Sequence, residues 1–340
     1  MKNNELGMKG RQIHLDTIGG ILICYMMLMH ILLWRLIPLT NDSIWLEPLK
    51  FFMFWFFFKS GEFFRLKETR AKLIGGGKKL LVPFIVFSFL GYCLNVYNLL
   101  KSGDTNWVHY VLTPVKELVL GGSIAGNDVL WFLTSLFMVQ IIFNELKTRN
   151  VKSWLIVAAA ISIAVVCHMF DITKPAYLAN VSMGIALYSL GYMLRDIQYD
   201  KKVFGVAFAA YIAIMLIEPS HIDLRTNTLN ENGCYILALL FSICGCITVN
   251  NIFKHIPHLP FLTYIGKNSM DFYVMHMLVL GVITMLPWSE WMIPNSVVFG
   301  VMCIACLTVP AFIGYLLEHS RYSWVLGKTN KYRLITIRYE

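Results

Sequence analysis

Long apolar runs separated by short polar connections dominate the chain. The hydrocarbon core of a bilayer is about 30 Å thick and a helix rises about 1.5 Å per residue, so a crossing helix needs roughly 17–25 mostly apolar residues. The runs lack the alternation of barrel strands, and backbone groups in lipid must bond to one another, so each run predicts a helix. The predicted spans are 18–37, 44–63, 80–100, 129–146, 153–170, 176–194, 203–218, 233–250, 269–287 and 296–317.

The composition supports this assignment and excludes other classes of protein. Of the 340 residues, 57% are hydrophobic and 14% are charged, whereas a soluble domain carries about 25% charged residues. The net charge of +9 would fit a nucleic-acid-binding protein, but the basic residues lie between the apolar runs and not along one face. We therefore expect an all-α integral membrane protein. It is a bundle of about ten transmembrane helices in one domain over residues 1–340, surrounded by the lipid bilayer and with no nucleic-acid partner.

Lys and Arg are concentrated in alternate connections, and this asymmetry predicts the orientation of the chain. Three precede the first run, and seven lie at the end of the second run or between it and the third, whereas the connections on the other side carry few. The basic residues of the first two sets are Lys2, Lys9, Arg11, Lys59, Arg65, Lys67, Arg70, Lys72, Lys78 and Lys79. Since cytoplasmic connections are enriched in these residues, both termini are predicted to be cytoplasmic.

His30 is the first candidate for chemistry, because an ionisable side chain inside a span is costly and often marks a site. It lies about a dozen residues into the first run, about 18 Å from the cytoplasmic end and past the midplane. A neutral imidazole there can accept a proton from a hydroxyl group, as acyl transfer to an alcohol requires. The alternative is a histidine bonded to a neighbouring helix. Asp16, just before the same run, is a second catalytic candidate or a boundary charge.

A stretch rich in Lys and Arg follows the aromatic run FFMFWFFFKSG, and Glu62, shortly before Arg65, is a further candidate site residue. Arg65, Arg70, Lys78 and Lys79 belong to this stretch, which would attract a phosphorylated ligand at the cytoplasmic surface. The alternative is that these cations only orient the chain in the membrane and contact anionic lipid at its cytoplasmic surface.

His276 follows the polar string GKNSMD, about seven residues in from the cytoplasmic side. It is a candidate for a direct chemical role. The same string also fits simple helix initiation, with Asn268 or Ser269 as the N-terminal cap.

The sequence does not support a metal site, a reactive cysteine, or a hydrolase or nucleotide-binding motif. His255 and His258 have no companion ligand at the spacing of a metal site, so we expect no metal. The eight cysteines lie almost entirely in apolar runs, where they pack as small apolar groups. Neither a GxSxG elbow nor a P-loop is present, so the hydrolase and nucleotide-hydrolysing classes fail.

Four segments follow one another in a characteristic order. They are HLDTIGGILICYMMLMH at 14–30, FFFKSGEFFRLKETRAKLIGGGKKLLVPF at 56–84, LWFL at 130–133 and IGKNSMDFYVMH at 265–276. Together they resemble the acyltransferase 3 family of integral membrane acyltransferases, which modify surface polysaccharides and related glycans. The last segment is similar to that family's Gly-x-x-Ser and histidine, so Ser269 is a candidate site residue beside His276. Trp131, in the short segment that opens the fourth span, is another candidate.

The resemblance implies an acyl-CoA donor, commonly acetyl-CoA, on the cytoplasmic side of a bacterial inner membrane. The implied acceptor is a hydroxyl of a surface or lipid-linked glycan, and no metal is implied. By the same likeness, His30 matches the essential histidine of the family. Lys78 and Lys79 match the basic pair associated with the CoA end of its site. The oligomeric state stays open.

One position departs from the resemblance. The family usually carries Arg or Lys eleven positions before the histidine, where this chain has Gly19. Arg11, Arg35 or Arg65 would have to substitute. The absence of this basic residue leaves open a non-catalytic sensor domain of the same family. A transporter or flippase also stays open, because ten helices with buried polar residues suit it equally well.

Overall fold

A computed structural model describes residues 12–40, 43–231, 233–257 and 259–328. Of the residues that it describes, 75% are helical, which confirms a nearly all-α fold. The α-helices within the described residues are α1 Ile13–Leu32, α2 Phe52–Glu62, α3 Thr69–Gly76, α4 Val82–Lys101, α5 Trp107–Tyr110, α6 Leu112–Gly121, α7 Trp131–Thr148, α8 Ser153–Met169, α9 Ala176–Leu194, α10 Lys201–Ile217, α11 Tyr235–His255, α12 Pro260–Lys267, α13 Ser269–Thr284 and α14 Asn295–Glu318. A short antiparallel hairpin pairs β1, Ile222–Asp223, with β2, Thr228–Leu229.

Five helical segments within the described residues are long and apolar enough to cross a membrane. Two more helices, Ser153–Met169 and Ser269–Thr284, are apolar but shorter. The protein is thus a multi-pass membrane protein by the length and composition of its helices. The five long segments are Ile13–Leu32, Thr69–Lys101, Asp128–Thr148, Tyr235–His255 and Asn295–Glu318.

The predicted second span, 44–63, is divided in the structure. A 3-10 helix, Ile44–Leu49, contains Pro48 and is followed by α2, which has 11 residues. Proline lacks the backbone N–H that a continuous helix needs. The 11 residues of α2 rise only about 16 Å, so α2 alone is shorter than the hydrocarbon core.

The predicted third span is instead longer than expected. Helices α3 and α4 are joined by a π-helical turn, Gly77–Leu81, so that the helix runs without a break from Thr69 to Lys101. Pro83 lies just after this turn. Since a proline cannot complete the regular bonding of the preceding turn, a wider turn at this point relieves the conflict. Lys78 and Lys79 consequently lie on a helix, not in a loop.

Close backbone approaches at glycines hold the bundle together around α1 and α2. A side chain at Gly20 would overlap the backbone of Leu262 in α12, and one at Gly61 would overlap the backbone of Tyr188 in α9. Small residues permit such approaches between membrane helices, where dispersion contacts drive association. The packing fixes α1 against α12 and α2 against α9.

Candidate active site

Two histidines from distant parts of the chain lie side by side. The ring centroids of His30, near the end of α1, and His276, in the middle of α13, are 5.2 Å apart, and the ring planes are inclined by 39°. His276 is completely buried and His30 is partly buried. The structure therefore joins the two histidine candidates in one site, which we call the histidine pair.

The hydrogen bonds of His276 fix its tautomer. Its Nδ1 lies 2.9 Å from the carbonyl oxygen of Tyr273 and 3.2 Å from that of Phe272. Because a carbonyl oxygen only accepts, Nδ1 carries the hydrogen and Nε2 of the neutral ring carries the lone pair. Within the described part of the chain, this buried Nε2 has no hydrogen-bond partner. Buried polar atoms are normally paired, so an unpaired acceptor here marks a place for a ligand, a water or a neighbouring N–H group.

A polar cluster lies on one side of the histidine pair. Nη1 of Arg225 donates to Oδ2 of Asp128 at 2.6 Å, and Nη2 of Arg225 donates to Oγ of Ser123 at 3.3 Å. Asp128 and Arg225 are among the charged groups that act electrostatically on the His30 ring. These three residues come from the connection before α7 and from the hairpin. We call these three residues the polar cluster. The end of the bundle where they lie is called the opposite end, because the predicted donor-binding cations lie at the other end.

A buried amide fixes the segment that carries Asp128 and Trp131. Nδ2 of Asn127 donates to the carbonyl oxygen of Val274 at 2.9 Å and to that of Phe87 at 3.4 Å. Val274 is two residues from His276, so this amide connects the start of α7 to the helix of the histidine pair. Trp131 itself is buried at the start of α7 and packs edge to face with Phe132, at 6.2 Å between ring centroids.

A cavity of about 220 Å³ lies between α1, α2, α7 and α13. Its walls are largely apolar, and its polar lining comes chiefly from Lys59, Ser60 and Ser269. Tyr273 also lines it, and the Tyr273 ring centroid is 6.3 Å from that of His276. This central cavity therefore extends from Lys59 to the residue next to the histidine pair. The lining residues are Ile23, Met53, Phe56, Lys59, Ser60, Phe132, Leu133, Leu136, Ser269, Met270 and Tyr273.

Asp16 lies far from the histidine pair. It precedes His30 by 14 residues on the same helix, which corresponds to about 21 Å along the axis. Its Oδ1 is 4.0 Å from Nζ of Lys59. The structure thus does not bring the two predicted catalytic residues together, and Asp16 lies beside Lys59, a lining residue of the central cavity.

The four cations that were predicted to bind the donor lie in different environments. Lys79 lines a cavity of about 190 Å³ together with Lys67 and Lys72. Arg65 lines another, of about 860 Å³, together with Arg195 and Lys254, among others. Lys78 and Arg70 are exposed. We call this end of the bundle the basic end. The role of the four cations in donor binding stays a prediction.

Glu62 has a packing role that the sequence did not indicate. It is buried at the end of α2 and accepts a hydrogen bond from the hydroxyl of Tyr199 at 3.3 Å. Burial, with the nearby Glu62 charge, raises the pKa of Tyr199, so this hydroxyl stays protonated and donates. The bond joins α2 to the turn between α9 and α10.

The acyltransferase domain model of one protein family matches residues 13–315 of the chain. The chain belongs to the acyltransferase 3 family. The match begins at the first residue of α1 and includes the histidine pair, the central cavity and the polar cluster. No curated protein and no solved structure matches the chain.

The structure also shows what surrounds Gly19 in this acyltransferase 3 chain. A Cβ atom at position 19 would lie 3.7 Å from Nζ of Lys59 and 3.7 Å from the Trp55 ring. Arg35, one of the expected substitutes, is exposed beyond the end of α1 with a φ of 52°, and Arg11 is outside the described residues. The basic group beside position 19 therefore comes from α2. From the sequence, Lys59 is expected only to contribute to the charge asymmetry that orients the chain, because it lies near the end of an aromatic run, next to a predicted connection.

Proposed function

We propose that this protein is a membrane O-acyltransferase. It transfers an acyl group, acetyl in the simplest case, from acyl-CoA to a hydroxyl of a surface or lipid-linked glycan. The basic end faces the cytoplasm of a bacterium, where acyl-CoA is available, and the opposite end faces outward. In this proposal all ten apolar runs contribute to crossings of the inner membrane, and both termini are cytoplasmic.

The observation that carries the proposal is the central cavity that approaches the histidine pair from the basic end. A thioester on a narrow arm can enter such a cavity, whereas its charged nucleotide stays among the cations of the basic end. The polar cluster on the other side of His30 offers hydrogen-bond donors and acceptors, which suit the hydroxyl groups of a sugar. Donor and acceptor thus approach the same imidazole from opposite ends.

His30 acts as the general base in this mechanism. It takes the proton of the acceptor hydroxyl while the oxygen attacks the thioester carbonyl. The new C–O ester bond forms, the C–S bond breaks, and the thiolate of CoA leaves and receives the proton from the imidazolium. His276 packs against His30 and orients it. The lone pair on Nε2 of His276 can accept a hydrogen bond from an N–H group of the His30 ring.

The test is transfer of label from acetyl-CoA, carrying a radiolabelled acetyl group, to the glycan and lipid extract of membranes that contain the protein. We expect label in an alkali-labile ester. His30→Ala should lower the rate by about 10²- to 10⁴-fold, the usual contribution of a general base. His319→Ala is the matched control, because His319 is an exposed histidine at the end of α14.

Full activity of His30→Ala would contradict the assigned mechanism. Absence of label with the wild type, under conditions where the protein is folded, would contradict the transferase function. It would favour a transporter or a sensor domain instead.

A further inference from the structure

Lys59 is a charged side chain inside the bundle, at the end of the central cavity that is remote from the histidine pair. Its Nζ donates to the carbonyl oxygen of Leu15 at 3.1 Å. It also lies 4.8 Å from the centroid of the Trp55 ring. Among the described residues that line the cavity, Lys59 alone carries a formal charge. α2 therefore places a cation at the point where a ligand from the basic end would enter.

The distance from this cation to the histidine pair is set by α1. Nζ of Lys59 is level with Gly19, and His30 follows Gly19 by 11 residues. Those residues rise about 16 Å along the helix. A molecule that contacts Lys59 and reacts beside His30 must therefore bridge about 16 Å.

The arm of acyl-CoA has this length. Between its diphosphate and its sulfur, pantetheine contains about 13 single bonds in sequence. An extended polypeptide gains about 3.3–3.6 Å for every three backbone bonds, so a chain of about 13 such bonds reaches about 15 Å. With the diphosphate at Lys59, the thioester arrives at the histidine pair with the arm extended.

The walls of the central cavity between Lys59 and the histidine pair suit the pantetheine arm but not the charged nucleotide. Ile23, Met53, Phe56 and Leu133 line the passage with apolar surface, next to which the methyl groups and methylenes of pantetheine can lie. Charged phosphates are unfavourable among such groups unless a cation accompanies them. The diphosphate should therefore stop at Lys59.

We propose that the ammonium group of Lys59 binds the diphosphate of acyl-CoA and sets the depth at which the thioester meets His30. An ammonium group has three N–H donors, so Nζ can contact a phosphate while it keeps its bond to Leu15 and its ion pair with Asp16, whose Oδ1 is 4.0 Å away. Lys59 is then a donor-binding residue in addition to the exposed cations of the basic end. This inference rests on the proposed function for its donor.

The first test compares two donors that differ in the diphosphate. Lys59→Met should raise the KM for acetyl-CoA about 10-fold to 100-fold, the loss expected when a hydrogen bond between charged groups is removed. The KM for S-acetylpantetheine, which has no phosphate, should stay unchanged. Lys59→Arg should retain most of the affinity for acetyl-CoA. Lys201→Met is the control for loss of one exposed charge, because Lys201 begins α10 outside the cavity.

Equal increases of KM for both donors would show that Lys59 only maintains the packing of α1 and α2, and would overturn the proposal. An unchanged KM for acetyl-CoA would overturn it as well. A gain-of-function variant gives a further check. A Cβ at position 19 meets its neighbours at no less than 3.6 Å, so Gly19→Lys in the Lys59→Met background has room to restore part of the acetyl-CoA affinity.

Binding of free CoA to the detergent-solubilised protein separates this inference from the transferase function. One outcome is that the wild type binds CoA, that Lys59→Met weakens this binding, and that no acyl transfer occurs. The transferase function then fails and the diphosphate site stands. If the wild type transfers acetyl groups and Lys59→Met binds CoA as tightly as the wild type, the diphosphate site fails alone. If the wild type does not bind CoA, both proposals are contradicted.

Discussion

Lys328 ties the segment after α14 to the start of α13, the helix that carries Ser269 and His276. Its Nζ donates to Oδ2 of Asp271 at 2.7 Å, and also to Oε2 of Glu318 and Oδ1 of Asn268 at 3.3 Å. The Asp271 side chain is only 4% exposed, whereas that of Lys328 is 25% exposed. Lys328→Met would leave the buried carboxylate without this cation.

The cost follows from the burial of the two partners. Removal of one member of a fully buried ion pair costs about 3–5 kcal/mol, and exposed pairs contribute about 1 kcal/mol or less. Water reaches Lys328, so we expect the free energy of unfolding to fall by about 2 kcal/mol, between these limits. For a chain of 340 residues, that corresponds to a melting temperature about 3 °C lower.

Thermal unfolding of the detergent-solubilised protein measures this change. Asp271→Asn in the Lys328→Met background removes the uncompensated charge and should recover part of the lost stability. Arg149→Met is the matched control: it breaks the ion pair with Glu145, in which the Arg149 side chain is 72% exposed, and should leave the melting temperature unchanged. A Lys328→Met melting temperature equal to that of Arg149→Met would refute the reasoning.

Two further predictions concern the two sides of His30. His276→Phe keeps a ring of similar shape but removes the nitrogens that orient His30, so kcat for acetyl transfer should fall about 10-fold to 100-fold, less than for His30→Ala. Steady-state kinetics check this, and a change of donor KM with kcat intact would be contrary to it. Arg225→Met removes the donors of the polar cluster and should raise the KM for the acceptor while the KM for acetyl-CoA stays constant. An effect on acetyl-CoA alone would remove the polar cluster from the acceptor site.

The helical content could be predicted from hydropathy, but the length of several helices could not. Hydropathy reports the transfer of side chains into lipid, and it treated 44–63 as one span. The structure divides this span just after Leu49 and the neighbouring Pro48, because a proline lacks the backbone donor that a continuous helix needs. The opposite error occurred at Lys78 and Lys79, which were expected in a connection and lie on a helix continuous from Thr69 to Lys101.

The contacts of the site depend on packing that one sequence does not encode in a readable pattern. His30 and His276 were separate candidates, and only the approach of α1 to α13 shows that their rings are neighbours. Glycines such as Gly20 and Gly266 fix α1 against α12, the helix just before α13, because their missing side chains admit another backbone. From the sequence, Lys59 was interpreted only as a charge that helps to orient the chain in the membrane, because its sequence neighbours end an apolar run. Its position against Gly19 is a property of the fold.

In the proposed mechanism, the acyl group passes from a donor at the basic end to an acceptor at the opposite end. Oriented membrane vesicles test this directly, with labelled acetyl-CoA supplied only at the cytoplasmic face and the acceptor glycan enclosed at the other face. We predict labelled ester on the enclosed glycan with the wild type, and a loss of about 10²- to 10⁴-fold with His30→Ala. Label that appears only on acceptors at the face of the donor, or enclosed label that is unchanged in His30→Ala, would contradict it.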